Sequence, residues 1–446
     1  MGAMKLAARS PSLVLVLLLS LSSSLALAWY ADIDGRGGSG SGSGSGRPYH
    51  YGEESFRQWT RSRQGRFRVL ERFTDEVLEG TVGSYRVAEL EAAPRAFLQP
   101  SHYDADEVMF VKEGEGVVVL LFRGKRESLC VREGDVLVIP AGAVVYSANT
   151  HGSRWFRVVM LLNPVATPGR FEEFFPIGGD RPESFFSVFS DDVIQAAFNT
   201  RREDWEQVFE KQSKGEITKA SEEQIRELSR SCSRGGRGDS GSSSKWEIKP
   251  SSLTGKKPSH SNNHGRHYEI TGEECPHLRV LDMEGSMMAP SYSTRATKIA
   301  VVVEGSGFFE MACPHLSPSP SQRLERGREW GREEEEEEEQ KSSRSGYRQV
   351  KSRVREGSVI VIPAGHPTTL VAGEDKNLAV LCFGVNANFD EKVFLAGKNS
   401  LLRQMDEAAK ALAFGAEAKD VDRVIGAQPD AVFLRGPNSR RRVSDV

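Results

Sequence analysis

The chain has 446 residues, 38% hydrophobic and 27% charged, which supplies two or three buried cores and excludes disorder throughout. Its 59 basic and 62 acidic residues leave a formal net charge of -3, without the basic excess of a general nucleic-acid binder.

Residues 1–28 read as a cleaved secretory signal. Lys5 and Arg9 precede the apolar run "LVLVLLLSL", and small residues at Ala26 to Ala28 offer a cleavage site. The run falls short of the roughly 20 apolar residues that a membrane span needs, so no span is expected in the mature form. Residues 29–46, with "GRGGSGSGSGSG", form a flexible segment: no strand precedes the glycines and no GK[ST] follows. Five scattered cysteines without a CxxC pair do not suggest disulfides as the main staple.

From residue 47 a module is written twice. "VKEGEGVVVLLF" at 111–122 returns as "VVEGSGFFEM" at 302–311, and "VREGDVLVIPAG" at 131–142 returns as "VREGSVIVIPAG" at 354–365. The offset between copies grows from 191 to 223, which places about 32 extra residues in the second copy. They lie in the polar stretch 317–346, with its uninterrupted Glu333 to Glu339, a composition that cannot bury a core.

A helical arm follows each set of strands. "AAFNTRREDWEQVF" aligns with "LAFGAEAKDVDRVI", pairing Phe198 with Phe414, Trp205 with Val421, Val208 with Val424 and Phe209 with Ile425 at helical spacing. Ser190 reads as an N-cap, and Ser221 with Gln224 as a capping box. These apolar stripes, with Leu401, Leu402 and Met405, call for a partner surface. The expected organisation is a first module over 47–231, a polar linker over 232–264, a second module over 265–437 and a basic tail over 438–446.

Strand, "EGxG" turn, strand, "REGDVLVIPAG" turn, strand is the cupin pattern. Two such modules with helical arms, a signal and a Glu-rich insert resemble vicilin-type 7S seed storage globulins. "GRFRVLERF", "PESFFSVFS", "ACPHLS", "PAGHP" and "DEKVFLAG" support the resemblance. It implies a mainly β fold with α arms: two jelly-roll β-barrels whose helical arms clasp neighbouring subunits into a homotrimer. It also implies a non-catalytic nutrient reservoir that travels the secretory pathway to the protein storage vacuole, with extracellular deposition as the alternative. Its partners are then the proteases of processing and germination, and no cofactor is required.

Cupin enzymes hold a metal with HxH, a following Glu and a third His, because alternate strand residues point into the barrel. In the first module these positions read Pro100, His102, Glu107 and Val145, and the surviving His102 and Glu107 are expected to make a hydrogen-bonded pair. In the second they read Ser291, Ser293, Lys298 and Thr368, with a cation where the metal stood. Cys313 and His315, two apart on one strand face, with His366 of "PAGHP", offer a separate set for copper or zinc, completed by Tyr49 or Tyr51 if the N-terminal arm folds across. The alternative is that Cys313 packs as a small hydrophobe and His315 begins a solvent loop. Competing functions are a metal-dependent cupin oxidoreductase and a sugar- or small-ligand-binding cupin.

Overall fold

The computed structural model describes residues 49–437 except 180, 231, 233–249, 254, 273–274, 315–346 and 375. Short β-branched strands punctuated by glycine roll into two antiparallel barrels. In the first, one sheet runs Ser251–Ser252, Asp135–Ile139, Ala105–Glu113, Phe156–Pro164, Arg86–Ala92, Gly65–Leu70, Phe56–Ser62. The other runs Glu173–Phe174, Ala96–Tyr103, Val144–Asn149, Glu115–Phe122, Lys125–Arg132, with Ile217–Lys219 paired to Ala96–Tyr103.

Between the barrels the sheets are apolar on both faces, so alternation becomes a nearly continuous hydrophobic run. Along Phe156–Pro164, Val158, Met160 and Leu162 fill the first barrel, whereas Val159 and Leu161 join a second cluster shared with Ile299, Val301, Val359 and Phe383 of the other module.

The expected "EGxG" turn differs between the copies. In the first, Gly114 at φ 85 separates Ala105–Glu113 from Glu115–Phe122. In the second, one 17-residue strand, Thr297–Cys313, passes straight through. Its first half pairs with Asn377–Val385 and Val359–Ile362, its second with Arg348–Arg355 and Thr368–Ala372. The register slips between Val302 and Glu304, and Gly305 at φ 79 lets the strand bend from one sheet to the other. A Cβ there would overlap the Asn377 carbonyl oxygen.

Two short strands cross between modules. His50–Tyr51 pairs with Val359–Ile362 of the second barrel, and Ser251–Ser252 pairs with Asp135–Ile139 of the first. Ser251–Ser252 and His260–Asn262 thus give strand structure to part of the stretch expected as linker, through backbone pairing that its polar side chains do not forbid.

The arms are paired short helices, Asp191–Phe198 with Arg202–Phe209, and Glu407–Phe414 with Ala418–Ile425. A further helix, Glu222–Arg230, opens with the expected box: the Gln224 amide donates to Ser221 Oγ at 3.1 Å, and the Ser221 amide donates to Gln224 Oε1 at 2.8 Å. Ser190 occupies the cap position without a side-chain bond. Trp205, expected to seek a partner, is instead 2% exposed within its own arm, stacked on Phe209 at 4.8 Å and edge-on to Phe186 at 6.2 Å. Val188, Val208, Leu412 and Val424 remain in solvent, between 69% and 86% exposed. No helix among the described residues is long and apolar enough to cross a membrane.

A disulfide joins Cys130 to Cys232 across 102 residues, with Cα atoms 5.1 Å apart. Cys313 and Cys382 are free and buried.

Candidate functional site

Strand alternation brings the degenerate positions of each copy to the inside of its barrel. In the first module His102, Glu107 and Val145 line a cavity of about 80 Å³, whereas Pro100 is not part of its wall. His102 enters from Ala96–Tyr103, Glu107 from Ala105–Glu113, and Val145 from Val144–Asn149, whose register sets Val145 opposite Ser101. The expected bond between His102 and Glu107 is not formed. The imidazole stacks on Phe174 with centroids 5.0 Å apart, and burial holds its pKa below the ordinary value.

Glu107 is 5% exposed, and burial alone pushes its pKa up to about 7. Glu173 and Glu216 line the same cavity. Burial raises Glu173 to about 8, against the opposing pull of Ser101 Oγ, which donates to Glu173 Oε1 at 2.7 Å. Glu216, also raised by burial, accepts from the Thr60 hydroxyl. Beside them, burial and Glu173 keep the Tyr103 phenol protonated well past its usual range.

The second barrel has the opposite sign. Ser291, Ser293, Lys298 and Thr368 line a smaller cavity of about 20 Å³, joined by Arg279, Cys382 and Lys392. Lys298 is 8% exposed, and burial, followed by the Arg279 charge, lowers its pKa to about 8. Lys392 is driven down by burial first and then by Lys298; its Nζ lies 2.9 Å from Met288 Sδ. Arg279 is tied at 2.8 Å to Glu269 and at 3.5 Å to Asp390.

The sulfur-nitrogen set sits elsewhere, at the end of Thr297–Cys313. Cys313 and Tyr49 are fully buried, with Sγ 3.4 Å from Tyr49 Oη, and the Tyr49 ring lies 6.3 Å from that of His366, which is 4% exposed. The crossing strand His50–Tyr51 carries Tyr49 there. Tyr51, the other candidate, packs edge-on against Phe73 at 5.2 Å. Burial and then Cys313 push the Tyr49 phenol far above its usual pKa. His315 lies outside the described residues. Among the described residues no group of three or more His, Cys, Asp and Glu side chains could hold a metal. The donors present, a thiol, an imidazole and a phenol, nevertheless suit copper or zinc.

A cupin family model matches residues 60–204 and 252–422, one stretch within each repeat. The chain belongs to the cupin family. Cupincin of Oryza sativa subsp. japonica is 67% identical over 418 residues, 90% of this chain and 88% of that one. The crystal structure of vicilin from Corylus avellana superposes with TM-score 0.76 at 39% identity, covering 87% of this chain and all of that one. Vicilin from Solanum melongena, whose crystal structure is described as revealing different anionic ligands in structurally similar pockets, gives TM-score 0.78 at 30% identity over 88% and 99% of the two chains. This cupin is therefore a vicilin-type bicupin, a seed storage globulin.

Of the positions counted from the sequence, His102, Glu107, Val145, Ser291, Ser293, Lys298 and Thr368 line the two cavities; Glu173, Glu216, Arg279 and Lys392, which line them too, were not anticipated. Glu173 lies on the two-residue strand Glu173–Phe174 and Lys392 on the three-residue Lys392–Phe394, too short to declare an inward face.

Proposed function

We propose that this globulin is a non-catalytic nutrient reservoir. It assembles as a homotrimer through its helical arms, passes through the secretory pathway to the protein storage vacuole, and is mobilised by proteases at germination. The observation that carries the reading is the loss of imidazoles from both barrels. Val145 and Thr368 stand at the third-histidine positions, and Lys298 places a cation where a metal would lie. A catalytic metal site ordinarily keeps three protein ligands and an open position. Abundance through seed maturation and germination tests the proposal: the protein should accumulate and then disappear, and low constant levels would refute storage.

We further propose that Cys313 and His366, with Tyr49 and His315, hold one copper or zinc per subunit. The bound ion would tie the crossing N-terminal strand to the second barrel. Elemental analysis after metal exposure and dialysis should find about one equivalent in the native chain and almost none in Cys313→Ser. Equal content in the two would remove the site.

A second reading rests on the charge of the smaller cavity. Lys298, Lys392 and Arg279 converge there, which suits a compact carboxylate, in keeping with the anionic ligands described for the Solanum melongena vicilin. Acetate should raise the melting temperature of the native chain in a saturable way and leave Lys298→Met unmoved.

A further inference from the structure

The first barrel's cavity has a charge pattern that storage does not use. Glu107 is 5% exposed and, among the described residues, has neither a hydrogen-bond nor an ion-pair partner. It shares the wall with Glu173 and Glu216, and among the described residues no lysine or arginine lines the cavity to balance them. A buried carboxylate ordinarily finds such a partner within the protein. Here the paired barrel shows the contrast: the equivalent cavity of the second module is lined by three cations.

We propose that the cavity of the first barrel binds a small primary ammonium ion, its N–H groups received by Glu107 and Glu173 and its short alkyl tail lying against Met109, Ile139 and Val145. Carboxylates on one side and apolar side chains on the other match an alkylammonium better than a hydrated metal ion. Among the described residues no three acidic or imidazole side chains are grouped closely enough to hold a metal. About 80 Å³ is several times the roughly 10–15 Å³ that accommodates one water, which suits a small molecule of a few heavy atoms. His102, kept neutral by burial and stacked on Phe174, adds an uncharged rim that does not repel a cation. An anion of the kind suited to the second barrel would face three carboxylates here.

Among the described residues, the titratable groups that line the cavity with Glu107 are Glu173, Glu216, Tyr103, Tyr146 and His102. Because burial holds Glu107 and Glu173 protonated up to about 7 and about 8, binding of a cation must release protons near neutrality. Affinity should therefore climb as pH rises from 5 to 8, by up to about tenfold per unit for each proton released.

The test is calorimetric titration of the mature full-length protein with n-butylammonium chloride, at constant ionic strength, in two buffers of different ionisation enthalpy. The expected result is saturable binding at pH 8, proton release near pH 7, and affinity reduced at least tenfold in Glu107→Gln but unchanged in Glu203→Gln on the exposed arm. Absence of saturable binding at pH 8, binding without proton release, or equal affinity in Glu107→Gln would overturn the proposal. So would calcium chloride giving the same Glu107-dependent heat, which assigns the cavity to a metal. Should Glu107→Gln not fold, proton release in the native chain still decides.

Discussion

At the scale of single residues, each barrel encloses a buried ionisable group, and each has a pH window. Glu107 ionises near its ordinary value in the unfolded chain but only near 7 in the fold. Its favourable contribution is complete below the unfolded value and is lost as pH rises through about 7. Denaturant unfolding should find the native protein less stable at pH 7.5 than at pH 5, by about 2–3 kcal/mol from this group, and Glu107→Gln should flatten that part of the profile. Lys298 works in the other direction. Its folded pKa of about 8 lies below the unfolded value, so its penalty is full below pH 8 and fades as pH rises through the lysine range. Lys298→Met should stabilise the protein by about 1–3 kcal/mol at pH 7, with the gain narrowing by pH 10. Charge at Glu107 and Lys298 was legible in the sequence, since both fall at counted motif positions. Their surroundings were not, because these depend on what Glu173, Glu216, Asp390 and Lys392 bring from distant elements.

At the scale of elements, two features decide how the modules close. Gly305 carries the bend of Thr297–Cys313 at positive φ, with the Asn377 carbonyl where a Cβ would go. Gly305→Ala should cost about 2 kcal/mol or more, with unfolding measured by circular dichroism, because strain and steric overlap act together. The repeated "EGxG" announced a change of direction at this point. It did not say whether the ladder would break, as at Gly114, or bend as one strand, because that depends on the register of the neighbouring Asn377–Val385. The Cys130–Cys232 bridge holds the end of helix Glu222–Arg230 against Lys125–Arg132. Cys130→Ser should lower stability by about 2–4 kcal/mol and admit proteases at that helix first. Scattered cysteines gave no pairing because the bridge is set by how that helix docks, 102 residues away.

At the scale of the whole molecule, the repeat in the sequence already specified two similar barrels and two arms. It could not specify that the sheets between them are apolar on both faces, or that each barrel borrows a strand. Those outcomes follow from continuous Val and Leu runs of the two modules covering one another. The arms leave Val188, Val208, Leu412 and Val424 exposed after Trp205 has been buried inside. Leu412→Glu with Val424→Glu should convert the proposed trimer to monomer in size-exclusion chromatography with light scattering, while far-ultraviolet circular dichroism stays unchanged.

The strand His50–Tyr51 makes the front of the chain a lid on a thiol that belongs to the opposite barrel. Proteolytic trimming that removed Tyr49 would lay the sulfur open to air and alkylating agents. The point at which such trimming stopped would be recorded in the oxidation state of a distant cysteine, which a thiol-labelling assay on native seed extract could read.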